Sequence, residues 1–173
     1  MIRPQPRPEI HPIDFTNCLA GVDPGLDGSI SFLEEPDMLA AFYMPVLHLT
    51  KSNKGSREVD PDGVIRLFEK FQPRHIIMEM AWNRPGNGGS AAFKSGCGYG
   101  IIRGIIAVMK LPVTFISPNT WKKALQIPAA KDGARARASQ LMPYGKDLWP
   151  LVKDDGRAEA SLIALYGQRI LKV

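Results

Sequence analysis

The hydrophobic pattern along the chain divides it into short apolar runs early and longer periodic stretches later. Cys18–Asp23 is a compact apolar run that ends on an acid, and Gly28–Leu33 is a second run across an Asp-Pro-Gly turn, so the two predict a hairpin. Ala41–Leu47 predicts a third strand, with Pro45 marking an edge or an early end. Residues 50–59 are polar and read as a loop. Asp60-Pro61 is a helix start, with Asp60 as cap and Pro61 at the first position. Val64, Ile65, Leu67, Phe68 and Phe71 then repeat at helical spacing. Arg74–Glu79 predicts a short buried strand that again ends on an acid, and residues 81–89 a Pro/Gly loop. Ser90 predicts the cap of a long helix reaching about Met109, and Pro112–Ile116 a further strand. Ser117-Pro118-Asn119 opens a short helix, a basic helix follows over about Lys131–Met142, and a last helix runs from about Asp154 to Leu171.

This order is a β-meander followed by alternating helices and strands. It predicts an α/β domain with a mixed sheet, one half antiparallel and one half parallel, and helices on both faces. Residues 1–14 are proline-rich and read as a loose arm, leaving 15–173 as a single domain without internal repeats.

Composition changes this picture little. The chain has 173 residues, 45% hydrophobic and 23% charged, as expected of an ordinary globular domain. No stretch is long and apolar enough for a membrane span, and the first residues lack the apolar core of a signal peptide, so a cytoplasmic protein is expected. Cys18 and Cys97 lie in no metal-binding spacing and read as small core or loop residues. The net charge of +5 permits a nucleic-acid partner without requiring one. Its distribution says more: Lys122, Lys123, Lys131, Arg135, Arg137 and Lys146 fall between residues 122 and 146 against one acid, Asp132. A solvated helix face is the plain reading of that run.

The acids carry the candidate chemistry. Asp23 and Glu79 end the first and fourth predicted strands, and parallel neighbours bring such ends side by side. Asp155 and Glu159 are four residues apart and share one face of the last helix. Singly, each has an ordinary explanation as a turn, strand-end, helix-start or surface acid. Together they form a cluster whose repulsion a hard divalent cation offsets, and four carboxylates can hold two ions. Asp154 competes with Asp155 for the helix-start role. Gly96, Gly98, Gly100 and Gly104 weaken the long helix, which calls for a close backbone approach there or a partner.

The ordered segments "GVDPGLDGSISFL", "HIIMEMAW", "SAAFKSGCGYGIIRGIIA", "WKKAL" and "DDGRAEASLIALYG" resemble the RuvC family of Holliday-junction resolvases over about residues 18–170. The resemblance implies an RNase H-like fold with a mixed five-stranded sheet. It implies metal ligation by Asp23, Glu79 and Glu159, with two Mg²⁺ or Mn²⁺ ions per site. The familiar members carry the fourth acid three residues before the last, where this chain has Gly156; Asp155 keeps the same face, a spacing that resembles phage-type members. Lys122 and Lys131 match basic residues that contact phosphates and assist cleavage, and Trp82 matches a junction-stacking aromatic, with core packing the ordinary alternative for a Trp. Arg84, Lys94, Arg103, Lys123 and Arg135 join them as candidate DNA contacts. The expected protein is a homodimer that cuts four-way DNA junctions into 5′-phosphate and 3′-hydroxyl ends, with no membrane and no small-molecule cofactor. Two alternatives stay open: an RNase H-like nuclease for RNA or RNA–DNA hybrid, and a non-catalytic junction-binding module. A sugar-kinase-like ATPase shares the first hairpin but requires two such domains.

Overall fold

The computed structural model describes residues 15, 17–34, 36–49, 56–80 and 88–172. The predicted arm, Trp82 and Arg84 lie outside the described residues.

Strands β1 (Leu19–Asp23), β2 (Ser29–Glu34) and β3 (Met38–Tyr43) form the antiparallel meander. A hairpin of β4 (Val46–Leu49) and β5 (Ser56–Val59) comes next, then α1 (Pro61–Phe71) and β6 (His75–Glu79). The chain continues through α2 (Gly89–Val108), β7 (Val113–Ile116), α3 (Pro118–Ala124), α4 (Gly133–Leu141), two short 3₁₀ turns and α5 (Asp155–Leu171). The five-stranded sheet has the order β3-β2-β1-β6-β7, with β1, β6 and β7 parallel. The expected mixed sheet is therefore present.

Alternation of side chains along the strands builds two cores. Ala20, Val22, Ile30 and Phe32 face α1 and α2 and pack with Val64, Phe68, Phe71 and Ile102. The other face meets α5. Gly21 lies against the α5 backbone at Ala160 and Ala164, Gly167 lies over Ile77, and the buried Ser31 and Ser161 hydroxyls bond at 3.0 Å. Trp121, Leu125, Ala138 and Met142 from α3 and α4 extend this second core. No helix among the described residues is long and apolar enough to cross a membrane.

Five expectations need correction. The third strand is not 41–47: it ends at Tyr43, and Pro45, which has no N–H to donate, separates it from β4. Ser56–Val59 is a strand, although the polar sequence reads as loop. Its hairpin partner β4 is largely exposed, and only Val59 is buried, so there is no hydrophobic alternation to detect. The long helix starts at Gly89 with Gly88 as cap, a role glycine fills nearly as well as threonine, and Ser90 lies inside it. Cys18 is a core residue as expected, but Cys97 is exposed on α2, neither core nor loop. Asp60 and Pro61 do begin α1, yet the Asp60 side chain makes no cap bond and pairs instead with Arg66 at 3.5 Å.

Candidate active site

Asp23 and Glu79 stand one step beyond the last paired residues of β1 and β6, Val22 and Met78, so the two carboxylates leave adjacent strand ends. Glu159 reaches the same place from the first turns of α5. The three acids line a cavity of about 610 Å³ together with Ser117, Pro118, Asn119 and Lys122 from the start of α3.

Local sequence explains this placement. Pro24-Gly25 turns the chain directly after Asp23, and the Gly25 N–H donates to Asp23 Oδ1 at 3.4 Å. Gly28 lies beneath the Asp23 side chain, where an added Cβ would meet the carboxyl carbon at 2.8 Å. Gly156 in turn nests against Gly28, at 3.1 Å from its Cα to an added Cβ, which brings the N-terminal end of α5 onto the turn. Ser117 caps α3 by accepting from the Thr120 N–H at 3.3 Å, and Pro118 occupies the first helical position.

Each acid has a distinct environment. Burial, and then the negative charges of Glu159 and Glu79, push the Asp23 carboxyl up to about 7; the Gly25 N–H and Lys122 offset only part of this. Glu159 accepts from Lys122 Nζ at 2.8 Å. Glu79 accepts from the indole N–H of the fully buried Trp121 at 2.6 Å. Sequence reasoning passed over Trp121 while choosing its neighbour Lys122. The available signal was that a Trp at a core position must find an acceptor for its N–H. Changing Trp121 to Phe keeps most of the volume and removes that donor. We expect a loss of about 1.5–3 kcal/mol, the range for a hydrogen bond to a charged group. A double-mutant cycle of W121F and E79Q by urea unfolding checks it, with a coupling energy below about 0.5 kcal/mol ruling out the bond.

Asp155 is not brought to this cavity. Its Oδ1 is held by Arg135 Nε of α4 at 2.5 Å, on the flank of α5 that meets α4. Asp154 is also accounted for: fully buried, it accepts from the Tyr43 hydroxyl, from the Leu151 N–H at 2.9 Å and from Arg157 at 2.7 Å. These donors hold its carboxyl below the ordinary range although burial opposes them.

The remaining candidate DNA contacts lie elsewhere on the surface. Lys123 and Lys131 are exposed, on α3 and just before α4. Lys94 is exposed on α2 beside a separate cavity that Arg57 and Phe93 also line. Arg103 lies over the rings of Tyr99 and Phe115, at 5.5 and 4.9 Å. Of the α2 glycines, only Gly98 is in close packing, against Val59 and the Pro24 carbonyl; Gly96, Gly100 and Gly104 face open space.

Two observations bear on whether a divalent cation fits. In favour, the donors are hard carboxylate oxygens, and the raised Asp23 pKa records a concentration of negative charge that a cation relieves. Against a ready-made centre, no three His, Cys, Asp or Glu side chains among the described residues stand at metal-ligating spacing. Lys122 already neutralises Glu159. The donor set fits a cation in kind and in charge, and Lys122 must release Glu159 for that acid to join.

No protein-family model matches the sequence, and no curated protein matches it. Solved structures do. RuvC of T. thermophilus in complex with a Holliday junction substrate superposes with a TM-score of 0.56 at 18% identity, covering 90% of this chain and 96% of that one. A second Thermus thermophilus RuvC structure gives 0.54 at 18% identity, over 88% and 96%. The yeast mitochondrial Holliday junction resolvase Ydc2 gives 0.54 at 18% identity, over 94% and 83%. With the sheet order and the convergent strand ends, these likenesses make the chain RuvC-like in fold, with the RNase H-like arrangement of strands, over nearly the whole length of the resolvases it resembles.

Proposed function

We propose that this protein is a divalent-metal-dependent endonuclease that resolves four-way DNA junctions. The observation that carries the reading is the meeting of Asp23, Glu79 and Glu159 with Lys122 in one open cavity. The RuvC-like fold supports the substrate, since one solved relative in fold is described with a Holliday junction.

Asp23, Glu79 and Glu159 would hold the cation. Divalent ions bound by such oxygens acidify a water for attack at phosphorus and offset charge on the departing oxygen. The chain's own residues do the remaining work. Lys122 is within reach of any phosphate that enters the cavity, and a phosphate oxygen there competes with Glu159 for its ammonium group. Trp121 fixes Glu79 from behind, and Gly28 and Gly156 fix Asp23 against α5. Paired nicks on a two-fold junction call for two copies of the site related by symmetry. The outward side of α2 supports a homodimer: Phe93 and Val108 are 73% and 82% exposed, and three glycines there meet nothing.

The test is cleavage of a synthetic mobile four-way junction with Mg²⁺ or Mn²⁺, beside linear duplex and RNA–DNA hybrid. We expect paired nicks in the four-way substrate, and E79Q should abolish them while junction binding persists. Preferential cutting of hybrid would replace this reading with the RNase H-like alternative. Lys122 already paired to Glu159, with no ready ligand cluster among the described residues, gives the non-catalytic module a specific footing. Junction binding without cleavage at millimolar Mn²⁺ would establish it.

A further inference from the structure

Beside α4 lies a third cavity, of about 310 Å³, that the reaction outlined above does not use. Its floor is Trp149, almost fully buried, and its walls carry Arg135, Lys146, Ser139 and one acid, Asp132. The Ser139 hydroxyl is already engaged: it accepts from the Trp149 indole at 2.9 Å and donates to the Arg135 carbonyl at 2.9 Å. The available donors are therefore the two cations. Lys146 is exposed and has no ion pair among the described residues. Arg135 is partly buried, and its Nε is given to Asp155. Asp155 sits one helical turn before Glu159 on the same face of α5, about 6 Å along the axis.

Resting on the DNA-cutting reading, we infer that this cavity is a subsite for a backbone phosphate of the bound DNA, and that filling it draws Arg135 away from Asp155 so that Asp155 turns to the cation site beside Glu159. A guanidinium with five donors in a fixed fork is suited to such an exchange between carboxylate and phosphate. The arrangement makes DNA binding and cation binding help each other. Without DNA, two acids on α5 are neutralised from within, Glu159 by Lys122 and Asp155 by Arg135. With DNA, phosphates take both cations.

The experiment is a set of binding measurements on the full chain, with cleavage scored separately. Mn²⁺ is titrated calorimetrically into DNA-free protein, and four-way junction affinity is measured in chelator at stepped salt. R135Q is expected to bind Mn²⁺ three- to tenfold more tightly than the native protein, because Asp155 is released. K146Q should leave Mn²⁺ affinity unchanged and lower the salt slope of junction binding by about one. D155N, which leaves Arg135 free, should gain more junction affinity than D132N, which removes a like charge from the same cavity without touching the pair; this arm holds even if R135Q fails to fold. The inference is overturned if R135Q binds Mn²⁺ no more tightly, if K146Q keeps the native slope, or if D155N and D132N gain equally. Native protein that binds DNA and Mn²⁺ but cuts nothing overturns the nuclease reading alone, and the comparisons among variants still decide the subsite. Native protein that binds neither overturns both.

Discussion

Asparagine in place of Asp23 is expected to make the metal-free protein more stable while removing cleavage. The carboxyl is raised to about 7 in the fold, against about 3.9 in an unfolded chain. Between those values the folded state holds a proton that the unfolded state has released, so stability falls as pH rises from about 4 to about 7, and the whole penalty is present above that range. At 1.36 kcal/mol per pKa unit the penalty is on the order of 4 kcal/mol. Asn carries no charge at any pH, so D23N should show little of this slope. Urea unfolding at pH 5 and pH 8 measures it. Parallel pH profiles for D23N and the native protein would show that Asp23 is not strained. Under the proposed function, junction cleavage by D23N should drop by at least about 10³-fold, equivalent to about 4 kcal/mol of barrier. Added Mn²⁺ should stabilise the native protein at pH 8 and leave D23N nearly unchanged.

Alanine at Gly21 is expected to damage fold and site together. The new Cβ would stand 2.5 Å from the Ala164 backbone nitrogen and closer still to the Ala160 carbonyl oxygen. Both obstacles are α5 backbone, so the helix itself must lift from β1. Overpacking of well-filled interiors typically costs 1–3 kcal/mol, and with no side chain able to yield we expect about 3 kcal/mol or more. Glu159 moves with α5, so cleavage should fall even at temperatures where the variant stays folded. Gly100→Ala provides the contrast. That position meets no atom within 4 Å, and alanine there should stabilise α2 by up to about 1 kcal/mol. Urea midpoints of the two variants measure the difference. Equal effects from the two changes would mean that α5 does not lie as tightly on β1 as described.

Much of this site was legible because its acids mark the ends of elements. A carboxylate directly after a buried apolar run, as at Asp23 and Glu79, survives any error of a residue or two in strand boundaries, and the parallel pairing of β1 and β6 brings both ends together. Glu159 was legible because an acid beside the apolar packing face of α5, with a second acid one turn before it, needs a reason. Asp155 was a different matter. Helical spacing shows which residues share a face, but not which way a side chain is pulled, and the pull comes from Arg135, twenty residues earlier on α4. Asp154 likewise owes its burial to Tyr43, a partner more than a hundred residues away. The β5 strand escaped notice because its pairing rests on backbone bonds to an exposed neighbour, and that leaves no mark in a pattern of apolar residues.

The internal neutralisation of the acid cavity has a practical side. Glu159 leans on an ammonium, Glu79 on an indole, and Asp23 takes up a proton below about pH 7, so below that pH no carboxylate of the trio depends on an added ion to be tolerated. Under the proposed function, chelator should therefore switch the protein off without unravelling it, so that a preparation made in EDTA would stay folded and inert with intact junction until metal is added.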